Sequence, residues 1–120
     1  MSDYDLGERL SKFGEEIIEL AKKVSRNTIT TPIINQFVKS GTSIGANYME
    51  ANGASSRKDF KNKIHICKKE ALETKYWLRI LSKAVPELKG EYRELWKENQ
   101  ELTLIFSKII SSLNKKKGEK

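Results

Sequence analysis

Apolar residues recur at alternating steps of four and three in four separate blocks of this chain. Leu6, Leu10, Phe13, Ile17, Leu20 and Val24 form the first; Ile34, Phe37, Gly41, Ile44, Tyr48 and Ala51 the second. Phe60, Ile64, Cys67, Ala71, Thr74, Leu78, Leu81 and Val85 form the third, and Tyr92, Leu95, Asn99, Leu102, Phe106, Ile109 and Leu113 the fourth. That spacing puts each block on one stripe of a helix, and a single apolar stripe must be covered by neighbouring helices. It predicts helices over about residues 5–24, 32–52, 57–85 and 90–114. Short links between them make an all-α, antiparallel up-down-up-down four-helix bundle the simplest packing for residues 1–114.

Local signals place the boundaries. Asp5 followed by Glu8 has capping-box spacing, Thr31-Pro32 reads as a cap followed by proline in the first turn, and Ser56 with Asp59 repeats the capping-box pattern. Gly53 is a stop signal, and Pro86 forces the third helix to end ahead of it. The second helix contains the run Ser40-Gly41-Thr42-Ser43-Ile44-Gly45-Ala46-Asn47. Each interior glycine costs about 1 kcal/mol against alanine, so something must offset the loss. Gly41 and Gly45 lie one turn apart, which fits close approach of another helix. A phosphate loop would instead place its glycines ahead of a helix, often before Gly-Lys-Ser/Thr. Asn99, the polar interruption in the last seam, reads as a device for fixing register.

Charge changes the picture for the third block. The chain carries a formal +7, and residues 55–85 hold nine basic residues against three acidic ones. By contrast residues 1–30 are slightly acidic, six against five. Lys61, Lys68 and Lys75 repeat every seven residues, with His65 and Arg79 on the adjoining rows and Lys58 near the start. These heads rise from one strip of helix surface. Lys115, Lys116 and Lys117 begin a basic segment, 115–120, expected to be a flexible tail.

Catalytic chemistry is poorly served. His65 is the sole histidine and does not follow a glutamate by three residues, which argues against a di-metal bundle site, and Cys67 lies in a core seam. No catalytic residue, metal or cofactor is expected. The acidic N-terminus, the lone cysteine and the lack of any apolar run of about 18 residues point to the cytoplasm rather than a membrane or an export route.

The run from Lys39 to Ala51, then Asp59-Phe60, then Lys69 to Leu78 closely resembles the four-helix-bundle proteins encoded in intervening sequences of bacterial 23S ribosomal RNA genes, the S23 family. The resemblance is dense over the second and third helices and extends by pattern over the others. It implies a cytoplasmic bundle assembled into a pentameric ring. A related branch, the accessory variability proteins of diversity-generating retroelements, shares that ring and works with a reverse transcriptase and its RNA through a basic surface. On this resemblance Gly41 and Gly45 become points of close helix approach and Glu70, Glu73, Tyr76 and Trp77 candidates for core or subunit contacts, and the residue pattern adds Asn47, Tyr48 and Asn99 as packing or subunit-contact positions. At least one of Glu70 and Glu73 is expected to be buried and paired with a basic or hydroxyl group.

Together these readings favour a non-enzymatic oligomer that binds nucleic acid, without sequence specificity, through Lys58, Lys61, His65, Lys68, Lys75, Arg79 and Lys115 to Lys117, with a reverse transcriptase as an implied partner. The competing reading is a pentameric protein-interaction scaffold whose basic charge serves an acidic partner.

Overall fold

The computed structural model describes residues 3–118, with the side chains of residues 5–115. Four helices account for nearly all of it: α1 (Asp3–Lys22), α2 (Thr30–Asn52), α3 (Arg57–Ala84) and α4 (Lys89–Gly118), with a single 3-10 turn over Pro86–Leu88 between the last two. No strand occurs among the described residues, and the elongated bundle extends 53 × 22 × 22 Å.

The seams read from the sequence close into one core. Every apolar member of the α1 and α2 stripes is buried, as are Ile64, Cys67, Ala71, Leu78 and Leu81 of α3. The α4 stripe is displaced at its far end, where Ile110 is buried and Ile109 only half-buried. An ideal helix turns every 3.6 residues rather than 3.5, and over a helix of 30 residues that mismatch moves the core-facing position forward by one.

Helix starts follow the expected chemistry at one place and depart from it at two. Ser56 is extended, and its hydroxyl accepts a hydrogen bond from the Asp59 backbone N–H at 3.0 Å. Asp5, in contrast, lies inside α1 rather than ahead of it. Thr31 does not cap α2 either, because the helix begins at Thr30. There the Asn27 carboxamide oxygen accepts from the N–H groups of Ile29 and Thr30, both at 2.8 Å, satisfying donors that the helix leaves free. The Thr30 hydroxyl completes the connection by donating to the Ser25 carbonyl at 2.6 Å. At the other end of the chain α4 runs on through Lys115 to Gly118, where a tail was expected to begin.

Two contacts explain the small residues of α2. A methyl group at Gly41 would stand 2.8–2.9 Å from three carbon atoms of the Ile17 side chain, so only glycine admits α1 at this separation. At Gly45 the same methyl would meet Leu10 at 3.6 Å, an ordinary contact, so this glycine is not required for space. On the opposite side the buried hydroxyls of Ser40 and Thr74 are 2.9 Å apart, and the buried Cys67 thiol points at the Ile44 carbonyl at 3.5 Å. Small side chains on both helices make α2 with α3 the most extensive interface, whereas α1 and α4 touch sparingly.

Candidate nucleic-acid interface

α3 lies between α2 and α4, and its cations divide between those neighbours. Lys63 turns to α2, where its ammonium pairs with Glu50 at 2.6 Å. The attraction of that carboxylate raises the lysine's pKa. Arg57, Lys61 and Lys75 turn to α4. The Arg57 guanidinium donates to the Leu113 carbonyl at 2.9 Å, Lys61 donates to the Asn114 side chain and Lys75 to the Gln100 side chain. Amide and carbonyl oxygens position these cations without neutralising them, so the positive charge stays available to an anion.

The remaining members of the strip agree with this placement. Lys58, His65 and Arg79 are exposed and Lys68 is half-buried, and none of the four makes an ion pair among the described residues. Lys115 is exposed one residue beyond Asn114, at the Lys61 end of the strip. The side chains of Lys116 and Lys117 lie outside the described residues. From Lys61 to Arg79 the strip is about 27 Å long at the helical rise.

At the Arg79 end the structure adds Lys89 and Arg93, which sequence reasoning missed, and Trp96, whose solvent-side position in the sequence pattern suggests self-association or a wider core rather than a place beside the strip. A groove of about 370 Å³ opens between α3 and α4, and its lining includes Arg79, Lys89, Arg93 and Trp96 but no carboxylate. The Lys75 ammonium sits 5.0 Å from the centre of the Trp96 ring, in cation–π range. Nothing local in the sequence joins Trp96 to Lys75. Their meeting depends on how α3 and α4 pair, and so does the placing of Lys89 and Arg93 beside Arg79.

On the other flank of α4 the charges are arranged differently. The groove between α1 and α4, about 670 Å³, is lined by six glutamates and four basic residues. Arg9 grips Glu98 through two hydrogen bonds of 2.6 and 2.8 Å and reaches Glu101 at 2.6 Å, and Lys23 pairs with Glu91 at 3.1 Å. The Lys23 ammonium lowers the pKa of Glu91.

The expected packing residues fare unevenly. Tyr48 and Asn99 are fully buried, and Asn47 is half-buried with its amide donating to the Ser43 carbonyl at 2.9 Å. The Asn99 carboxamide oxygen accepts from Thr103, while its amide nitrogen is the one buried side-chain nitrogen or oxygen without a partner among the described residues. The expectation for Glu70 and Glu73 is not met within the chain. Both are only half-buried, and Glu73 accepts from the Trp77 indole at 3.5 Å rather than from a cation or hydroxyl. A stripe at this spacing lies beside the core seam rather than in it, so the carboxylates stop at its edge. Partial burial, followed by the neighbouring Glu73 charge, raises the pKa of Glu70.

Nucleophilic and metal chemistry find little material. Burial pushes the Cys67 thiol up to about 12, so the nucleophilic thiolate is scarce at neutral pH. No cluster of three or more His, Cys, Asp or Glu side chains suited to a metal ion occurs among the described residues. No helix among them is long and apolar enough to cross a membrane.

Comparison with known proteins gives this architecture its relatives. No curated protein matches the chain. A crystallised protein of unknown function from the S23 ribosomal protein family of Bacteroides thetaiotaomicron superposes with a TM-score of 0.84 at 34% identity, over 92% of this chain and 99% of its own. The sequence pattern of the 23S rRNA-intervening sequence proteins matches residues 3–115. With the pattern spanning almost all of the bundle, this chain belongs to the 23S rRNA-intervening sequence protein family.

Proposed function

We propose that this protein is a non-enzymatic, cytoplasmic, self-associating bundle that binds nucleic acid by charge and shape along the α3 and α4 face. One observation carries the reading: Lys58, Lys61, Lys68, Lys75 and Arg79 line one strip of α3 without a carboxylate partner, whereas Arg9, Lys22 and Lys23 on the α1 side are each paired with a glutamate. A row of uncompensated cations on one helix face is suited to a phosphate backbone and carries no means of reading bases.

Self-association to the ring of five, with each subunit an antiparallel up-down-up-down bundle, belongs to the same reading. Gly41 beside Ile17, Thr74 beside Ser40 and Lys75 beside Gln100 support the antiparallel course. The exposed apolar side chains Ile18 and Met49, which share a groove between α1 and α2 away from the strip, support contact with further copies. Five subunits of +7 would present a field drawing polyanions from solution. The related retroelement branch supplies a reverse transcriptase as a partner, and a shared RNA would join the two.

Labelled RNA and DNA titrated at several salt concentrations test the ligand. The logarithm of the binding constant should fall linearly with the logarithm of salt concentration. Reversing Lys61, Lys68 and Lys75 to glutamate should cost about 10- to 100-fold in affinity near 50 mM salt and flatten the slope by about 0.7–0.9 per lost phosphate contact. Absence of binding by the unaltered protein at that salt would leave the scaffold reading in its place. Light scattering should give a multiple of 13.8 kDa, five-fold for the ring, and a monomer would remove the summed field.

A further inference from the structure

We propose that the groove between α3 and α4 at its Pro86 end is a base-stacking site, which directs the protein to single-stranded rather than duplex nucleic acid. The proposal deepens the function above and rests on it, since the strip of α3 supplies the phosphate contacts.

The groove joins two kinds of surface that a nucleotide needs together. Its apolar part consists of Leu78, Pro86 and the indole of Trp96, which is 42% exposed although it stands on the core-forming stretch of α4 between buried Leu95 and Asn99. Its charged part is Arg79, Lys89 and Arg93. A flat, electron-rich ring bordered by cations matches a base with its phosphate, and any base has a face to stack. The aromatic neighbour Tyr92 is committed elsewhere: its ring is buried and its hydroxyl donates to the Val85 carbonyl at 2.7 Å. Trp96 has no such commitment through its indole N–H, and its ring is braced by the Lys75 ammonium at 5.0 Å while that lysine also holds Gln100.

α4 itself sorts its residues between its two flanks. Glu91, Glu94 and Glu98 line the α1 groove, whereas Lys89, Arg93 and Trp96 line the α3 groove. An acidic ligand therefore meets no repulsion from the lining of the second groove. The groove continues directly into the α3 strip through Arg79 and Lys75, so a strand lying along Lys61, Lys68 and Lys75 would bring its next bases to Trp96. A duplex keeps its bases stacked on one another, and would meet the cations without engaging the indole. A protein segment docking on the apolar part would leave three cations uncompensated.

The experiment uses the full chain with Trp77→Phe, so that emission reports Trp96 alone. A single strand of about 20 nucleotides, poly-dT in one arm and poly-rU in another, and a mixed-sequence duplex of equal length are titrated near 50 mM salt. Both single strands should quench and shift Trp96 emission, and the duplex should leave it unchanged. Trp96→Ala should weaken single-strand binding roughly 5- to 100-fold and duplex binding less than about twofold, with helical content and thermal midpoint as the folding check. Trp96→Phe should recover most of the single-strand affinity. Binding of single strands with silent Trp96 emission, or equal losses for single strand and duplex in Trp96→Ala, would overturn the stacking site and leave the basic strip standing. Failure of every nucleic acid to bind would overturn the underlying function instead. Quenching by one single strand and not the other would restrict the site to RNA or to DNA, and would still support it.

Discussion

The two flanks of α4 are built from similar materials to opposite effect. Toward α1 the helix shows Glu91, Glu94, Glu98 and Glu101, and the groove is closed electrostatically by Arg9 and Lys23 from the facing helix. Toward α3 it shows Lys89, Arg93 and Trp96, and the facing helix answers with more cations, Lys75 and Arg79. The first flank brings opposite charges together, and the second carries charge of one sign only. Counting lysines along the sequence does not separate these cases. What separates them is whether the helix opposite supplies carboxylates, and that makes the α3 flank the one open to an anionic partner.

The comparison also has a mechanical side. α1 meets α4 sparingly and is held chiefly by α2, where Gly41 admits Ile17. Gly41→Ala forces the Ile17 side chain aside; the overpacking, at about 1–3 kcal/mol, exceeds the roughly 1 kcal/mol gained in helix propensity. A net destabilisation of up to about 2 kcal/mol is expected by denaturant unfolding, with faster hydrogen exchange in α1 than in α3. Gly45→Ala, where space exists, should be neutral or stabilising by up to about 1 kcal/mol. Equal losses at the two glycines would break the picture of a single tight point.

Next in size is the ion-pair cluster of the α1 flank. Arg9→Gln removes a bidentate contact with Glu98 and a second contact with Glu101. Because these side chains are about a quarter exposed or more, the expected cost is about 1 kcal/mol rather than several. Unpaired glutamates on this flank should leave nucleic-acid affinity within about twofold, since they stand away from the strip.

The smallest effect is expected on the far side of α3. Glu70 has its pKa raised by partial burial and by Glu73, with Lys69 and Lys39 opposing, so the folded chain holds that proton more tightly than the unfolded chain does. Ionisation above the folded pKa therefore costs stability, and the cost vanishes as pH falls below the ordinary carboxylate range near 4.5. Glu70→Gln should raise the thermal midpoint slightly at pH 7 and progressively less toward pH 4, without altering either groove. A fall in midpoint at neutral pH would show that the carboxylate is instead used, by a neighbouring copy for instance.

Much of this fold is legible in the sequence because amphipathic stripes are local properties. The α1, α2 and α3 seams, the Ser56 cap and the stop before Pro86 follow from residues a few positions apart. Positions that depend on longer relations do not. The α2 start belongs to Asn27, three residues earlier, in a connection whose turn geometry spacing does not reveal. The drift from Ile109 to Ile110 accumulates over the whole of α4. The basic strip of α3 could be read from its heptad repeat, whereas the Trp96 groove exists only because two helices meet. Glu70 and Glu73 illustrate a third limit, since a sequence neighbour on an apolar stripe says nothing of where the core ends.

The most direct test of the account compares two double charge reversals of equal size. Lys68→Glu with Arg79→Glu alters the α3 strip, and Lys12→Glu with Lys97→Glu alters the α1 flank; each lowers the formal charge from +7 to +3. Single-strand binding is measured by salt titration for both. The account predicts a loss of about tenfold or more and a shallower salt slope for the first pair, and a change within about twofold for the second. Equal losses for the two pairs would mean that net charge alone governs binding, and would contradict an interface on α3.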